Sequence, residues 1–258
     1  MNRMSAGLAA RLEPAEWNAL SELRLTREPL SDPDHSLSSV DLLDRGKAEA
    51  FLGKLTALYE TSSKRAVASQ FAKRYSFLAI APSLYLMTMF DRGMDFSALN
   101  VHVESSMKDD IWLPHARLYH WQATRPAEGL RGEWRNEMIR SVFANNVAKV
   151  WTSLAEAARM PVNILWENAA VYVFWLYEKR IGAEANERQR AQIQDDLQFL
   201  LEAPAELFGQ PDNPIARYNG VKCNVPERED PVRMRQTCCY YYQVSSENQY
   251  CSTCPIKK

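Results

Sequence analysis

Four of the chain's five cysteines fall within its last 21 residues, as Cys238-Cys239, eleven intervening residues, then Cys251-Ser-Thr-Cys254. Thiols at that density commit the segment to a cross-link, covalent or metallic, before any core is considered. A zinc staple usually pairs two C-x2–4-C turns, because a gap of two or more residues lets both sulfurs converge on one ion. Adjacent cysteines tend to diverge. A [2Fe–2S] cluster accommodates them better, since it offers two separated metal corners. The spacing therefore favours such a cluster on Cys238, Cys239, Cys251 and Cys254, with a zinc staple or disulfides as the alternatives. Cys223 lies outside the spacing and reads as a bystander thiol.

The rest of the chain does not need a metal to fold. Its 258 residues are 46% hydrophobic and 24% charged, with a formal net charge of −1. A chain of this size buries a substantial core. Near-neutrality, with no dense Lys/Arg run, argues against nucleic acid as the main partner. The N-terminus is too short and too charged for a secretory signal. No stretch reaches the ~18 apolar residues of a membrane span. The nearest, Ile164 to Tyr177, is broken by Glu167 and Asn168 and reads as a buried helix. A cytoplasmic location is the expectation, with loose association with the inner membrane left open. In that compartment clustered thiols more often hold metal than form disulfides.

Periodicity divides the chain into three parts: a helical body over 1–202, a proline-rich arm over 203–236, and a cysteine-rich cap over 237–258. Helices are expected near Glu13–Leu23, over Lys47–Tyr59 and over Val67–Ala81, with Pro82 opening a further one. Gly93 reads as its terminator. Alternation in Leu99–Val103 and around Ala116–Trp121, with turn residues Lys108, Asp109 and Asp110 between, predicts a small antiparallel β element near 98–122. Trp134, Met138, Val142, Phe143, Val147, Val150, Trp151 and Leu154 mark a long amphipathic helix. Pro161 suits the first turn of the next, which is apolar nearly all round and so central. A polar helix with an Ile193, Leu197, Leu200 stripe follows. The fold class is mostly α with a minor antiparallel sheet.

The tail Arg235-Gln-Thr-Cys-Cys-Tyr-Tyr-Tyr-Gln-Val, with Cys251-Ser-Thr-Cys254-Pro, resembles the C-terminal signature of the FhuF-like ferric siderophore reductases. That signature places an Arg before a Cys-Cys pair, aromatic residues after it, and a C-x2-C near the chain end. Leu165-Trp-Glu-Asn-Ala-Ala170 is similar to a Trp-x-Asn-Ala segment of the same family. The resemblance implies that the four cysteines bind a [2Fe–2S] cluster and that the substrate is a ferric siderophore. The family usually has ten residues between the cysteine pairs, where this chain has eleven. It commonly has Gly after the third cysteine, where this chain has Ser252.

Beyond the cluster no catalytic residue is expected. Arg235, Trp166, Asn168 and Tyr242 are the candidate substrate contacts. For each a plainer reading exists: Glu167 and Asn168 hydrogen-bonding within the core, Arg235 capping local backbone, and Tyr240 to Tyr242 packing around the cluster. His102, His115 and His120 follow no known ligand spacing. Asp109 with Asp110, and Glu227 to Asp230, read as solvated loops. The glycines never form G-x-G-x-x-G and no P-loop is present, so bound NAD(P) or flavin is not expected. A separate ferredoxin or flavoprotein reductase would supply electrons. The functions in view are one-electron reduction of Fe(III)–siderophores, a non-catalytic Fe–S iron or redox sensor, and a zinc-stapled interaction module.

Overall fold

A computed structural model describes residues 6–256, apart from 31, 110, 183–184, 226–228 and 246. In chain order the elements are β1 (Gly7–Ala10), α1 (Pro14–Glu22), β2 (Leu25–Thr26), β3 (Asp32–Ser38), α2 (Arg45–Leu58), α3 (Lys64–Phe90) and β4 (Val101–Ser105). There follow β5 (Met107–Lys108), β6 (Ile111–Trp112), β7 (His115–Leu118), β8 (Ala123–Pro126), α4 (Arg131–Val142), α5 (Ala148–Ala158), α6 (Val162–Trp175) and α7 (Glu187–Glu202). The chain closes with α8 (Pro214–Arg217), β9 (Lys222–Cys223) and β10 (Val232–Arg233). The molecule is mostly α with small sheets, and its C-terminal segment carries the cysteines. Among the described residues no helix is long and apolar enough to cross a membrane.

The centre is α3, which packs most extensively on α6. Its start is fixed by Ser63, whose hydroxyl accepts the Ala66 N–H and so satisfies one unpaired donor of the first turn. One continuous helix runs through Pro82, where the sequence predicts two. Proline removes the bond to the carbonyl four residues back, but Pro82 and its neighbours Ala79 to Leu84 are all buried. Packing on both flanks carries the helix through the loss. The helix ends on Asp91 in the left-handed conformation, not on Gly93. Gly93 instead permits close approach: a Cβ there would lie 2.0 Å from the Met138 sulfur.

The long amphipathic run over α4 and α5 contains a π turn at Phe143–Val147. Its extra residue turns Asn146 into the core, where it accepts from the Tyr75 hydroxyl at 2.6 Å and donates to the Phe96 carbonyl at 2.7 Å. Helix α6 is buried along Ile164 to Ala170, as its all-round apolarity requires, and Pro161 sits just before its first turn.

The main sheet has the order β2-β7-β4-β3. Strands β4 and β7 pair antiparallel, as the alternation predicts, whereas β2 joins β7 parallel. Sequence missed β1, β2 and β3: the first two are short, and the third lacks a clear alternating run. Strands β5 and β6 form a hairpin at Lys108, and Asp110 lies outside the described residues. The segment after α7 is not extended at its start. Pro204 precedes a 3-10 turn at Ala205–Phe208, and Leu207, Phe208, Ile215 and Tyr218 join the core. Beyond Tyr218 the strands β9 and β10 pair antiparallel, and Cys223 on β9 is exposed. Asp230 pairs with Lys179 at 2.5 Å, while Pro226 and Glu227 lie outside the described residues.

Candidate metal centre

The cysteine tail has little regular structure, so the body must hold it in place. The first anchor is Glu167 on α6. Its carboxylate accepts the backbone N–H of Gln236 at 2.5 Å and of Thr237 at 2.9 Å, and the Thr237 hydroxyl as well. It also faces the Arg235 guanidinium at 3.2 Å, with both side chains almost wholly buried. A carboxylate in an apolar helix is costly unless paired, and here the tail supplies the partners.

The second anchor is the N-terminal half of α3. Gln70 donates to the Cys239 carbonyl at 2.7 Å, and Ser63 donates to the Gln243 side chain at 2.6 Å. Lys73 donates to the Cys239 sulfur at 3.1 Å and lies 5.5 Å from the Tyr241 ring centre. Ser63, Gln70 and Lys73 are spaced by seven and three residues, which sets them on one helical face. The tail also closes on itself: the Arg235 N–H bonds the Thr253 carbonyl at 3.0 Å and the Cys254 N–H bonds the Cys251 carbonyl at 3.1 Å. Tyr242 stacks on Tyr250 with centroids 5.2 Å apart.

Cys239 and Cys254 are buried, whereas Cys238 and Cys251 are partly exposed. A hydrogen bond from Cys251, helped by the charges of Lys73 and Arg235, outweighs burial and holds the Cys239 thiol down to about 4. The same hydrogen bond, with burial, pushes Cys251 up. Of the two sulfurs, Cys239 is the one that accepts the Lys73 ammonium. Burial raises Cys238, and the charges of Cys239 and Cys254 raise it further, against a backbone N–H from Tyr240 to its sulfur at 3.4 Å.

Four thiols form a soft donor set that suits iron–sulfur ligation. Among the described residues no three Cys, His, Asp or Glu side chains are grouped as a single metal ion would require. Two cations, Lys73 and Arg235, stand ready to offset the negative charge of a four-thiolate cluster. Arg235 Nη2 is buried yet has no protein acceptor in hydrogen-bond geometry, its ion pair with Glu167 notwithstanding.

The other candidate residues are placed differently. Asn168 donates to both the carbonyl and the hydroxyl of Ser69 at 3.0 Å, fully buried. Trp166 is buried and stacks on Phe143. Arg235 is buried, donates to the Thr237 carbonyl at 3.2 Å and pairs with Glu167. Tyr242 is half-buried. None of the four lines the cleft of about 410 Å3 that opens beside Cys251. That cleft is lined instead by Arg24, Gln70, Lys73, Arg74 and Tyr172, together with Cys251 itself. Sequence reasoning passed over Lys73 and Arg74. Their signal was two adjacent cations within a helix otherwise buried from Ala66 to Ala72. The three histidines gather no metal site, and His102 bonds the Tyr119 hydroxyl at 2.7 Å.

The structure is that of a helical body that straps down a four-cysteine tail. The chain belongs to the FhuF-like ferric iron reductase family. The family model described as "Ferric iron reductase FhuF-like transporter" matches residues 69–221, and the "FhuF 2Fe-2S C-terminal domain" matches residues 235–255. The first match runs from within α3 through α8, and the second begins at Arg235 and contains all four clustered cysteines. A search of curated proteins gave no match.

Proposed function

We propose that the protein reduces Fe(III) held in a siderophore by one electron, from a [2Fe–2S] cluster on Cys238, Cys239, Cys251 and Cys254, and so frees Fe(II) in the cytoplasm. One observation carries the reading: Cys251 forms part of the wall of an open cleft, so a bound substrate would lie against a cluster ligand. Family membership supports iron reduction as the activity.

Siderophores hold Fe(III) with hard oxygen donors and bind the larger, softer Fe(II) far less well. When bound, a [2Fe–2S] cluster supplies single electrons, and clusters ligated by four cysteines can sit near about −400 mV. Each tenfold preference of a ligand for Fe(III) lowers the complex's potential by ~59 mV, so a low-potential donor is needed. The chain's own part is to hold and insulate. Glu167, Gln70 and Ser63 fix the cysteine segments, burial keeps water from Cys239 and Cys254, and Lys73 donates to the Cys239 sulfur. No glycine-rich nucleotide motif supports a built-in NAD(P) or flavin site, so the electron would come from a ferredoxin or flavoprotein reductase.

The test is reduction of a ferric siderophore by the pre-reduced protein, with a ferrous chelator present to trap Fe(II). One Fe(II)–chelator complex per cluster is expected, no turnover with NADH or NADPH alone, and turnover when a ferredoxin–reductase system is added. A reduced cluster that persists beside a range of ferric siderophores would overturn the reading in favour of an iron or redox sensor.

A further inference from the structure

Among the described residues Arg235 is the only lysine or arginine that is buried. Most of its donors have a place. Its backbone N–H bonds the Thr253 carbonyl at 3.0 Å, its Nε donates to the Thr237 carbonyl at 3.2 Å, and Nη2 lies 3.2 Å from Glu167. That last contact is an ion pair without hydrogen-bond geometry, so Nη2 is sealed from water with no acceptor for its protons. Glu167 is occupied elsewhere: its oxygens accept the N–H groups of Gln236 and Thr237 and the Thr237 hydroxyl. A buried donor on a charged group is costly to leave unmade.

Guanidinium nitrogens on Arg92 and Arg135 also lack an acceptor, but those side chains are 23% and 11% exposed, against 3% for Arg235. Arg235 also differs in place. Through Thr237 and Thr253 it is tied to the residue before Cys238 and to the residue before Cys254, one in each cysteine pair. Its charge reaches the sulfurs. It opposes the burial that raises Cys238 and the Cys239 hydrogen bond that raises Cys251, and it adds to the Cys251 hydrogen bond that lowers Cys239.

We propose that the orphaned Nη2 of Arg235 donates to a sulfur of the [2Fe–2S] cluster and raises its potential, while Glu167 acts as a counterweight that limits the rise. The assignment rests on the cluster reading and names the two side chains that poise it. A guanidinium keeps its proton, so its charge is the same in both oxidation states. Reduction adds one electron and no proton to this contact, and the N–H and its positive charge favour the more negative, reduced cluster. A carboxylate at 3.2 Å cancels part of that charge. The two residues therefore act on the potential with opposite signs.

The first test needs no substitution. The cluster-loaded protein is made with arginine labelled with 15N in the guanidinium, then reduced and studied by pulsed EPR. A 15N hyperfine coupling, with an exchangeable proton beside it, is expected. Arg235→Lys should remove that coupling, whereas Arg24→Gln and Arg74→Gln should keep it. Redox titration supplies the second readout. Arg235→Gln should lower the ratio of reduced to oxidised cluster at fixed potential about tenfold, a fall of ~59 mV in midpoint. Glu167→Gln should shift it upward in whatever fraction retains iron.

No 15N coupling in the wild-type protein, or a coupling that survives Arg235→Lys, would overturn the assignment, even if every variant lost its cluster. A residue that only clamps the tail predicts faster iron loss in Arg235→Gln with the midpoint of the remaining clusters unmoved, and that result would overturn it too. Protein with two irons and two sulfides but no arginine coupling would leave the cluster reading intact and refute this contact. Protein that holds one zinc would refute both. If coupling and opposite shifts are found but no ferric siderophore is reduced, the contact stands and the reductase reading fails.

Discussion

Glu167 and Arg235 face each other at 3.2 Å with side chains that are 4% and 3% exposed, one from α6 and the other three residues before Cys238. The pair joins the core to the cysteine tail. Breaking it by Glu167→Gln leaves a buried guanidinium uncompensated, which typically costs ~3–5 kcal/mol. The variant should unfold at lower denaturant and lose iron faster on dilution into chelator. Unchanged iron retention would mean that the tail docks without this clamp.

The cluster itself is tested by its ligands. Anaerobically purified protein should hold about two irons and two acid-labile sulfides per chain. Serine at Cys238, Cys239, Cys251 or Cys254 should abolish or strongly alter the visible and EPR spectra. Serine at exposed Cys223 should leave both unchanged. A single tightly held zinc in place of iron refutes the assignment.

Lys73 should set the potential. Its ammonium, 3.1 Å from the Cys239 sulfur, favours the more negatively charged, reduced state. Lys73→Met should therefore lower the midpoint potential, by on the order of 50 mV if the interaction differs about tenfold between oxidation states. Redox titration followed by EPR measures this. A potential that stays put, or rises, would show that the hydrogen bond is electronically idle.

Asn168 is bonded to Ser69 inside the core, so Asn168→Ala should act on stability. Stranding the Ser69 carbonyl should cost about 1–3 kcal/mol. Turnover and cluster content in the folded fraction should be normal. Slow reduction at full stability would instead restore Asn168 as a substrate contact.

What the sequence made legible was whatever local spacing encodes. The thiol pattern marked the segment that the 2Fe-2S family model matches, apolar periodicity marked α2, α5 and α6, and alternation marked β4 and β7. Pro82 misled because its cost is local while the burial that offsets it is tertiary. The N-terminal strands were missed because β1 and β2 have four and two residues, too few to display a period. Glu167 stood out as an anomaly in an apolar helix, but its partners lie some seventy residues away along the chain. Lys73 and Arg74 were harder still, since one helix turn carries no sign that a sulfur or a cleft will face it. Arg24 reaches that cleft from outside the matched stretch of 69–221, through a fold that no local window contains.

Ser63 touches no cysteine, yet its hydroxyl both starts α3 and holds Gln243, four residues beyond Cys239. If the four thiols ligate a cluster, ligation favours the docked tail, and by thermodynamic reciprocity whatever favours the docked tail tightens the cluster's binding by the same factor. Hydrogen exchange across 235–255 and the affinity for iron then become two readings of one equilibrium. A hydroxyl at the start of a helix would thus bear on how tightly iron is held at the far end of the chain.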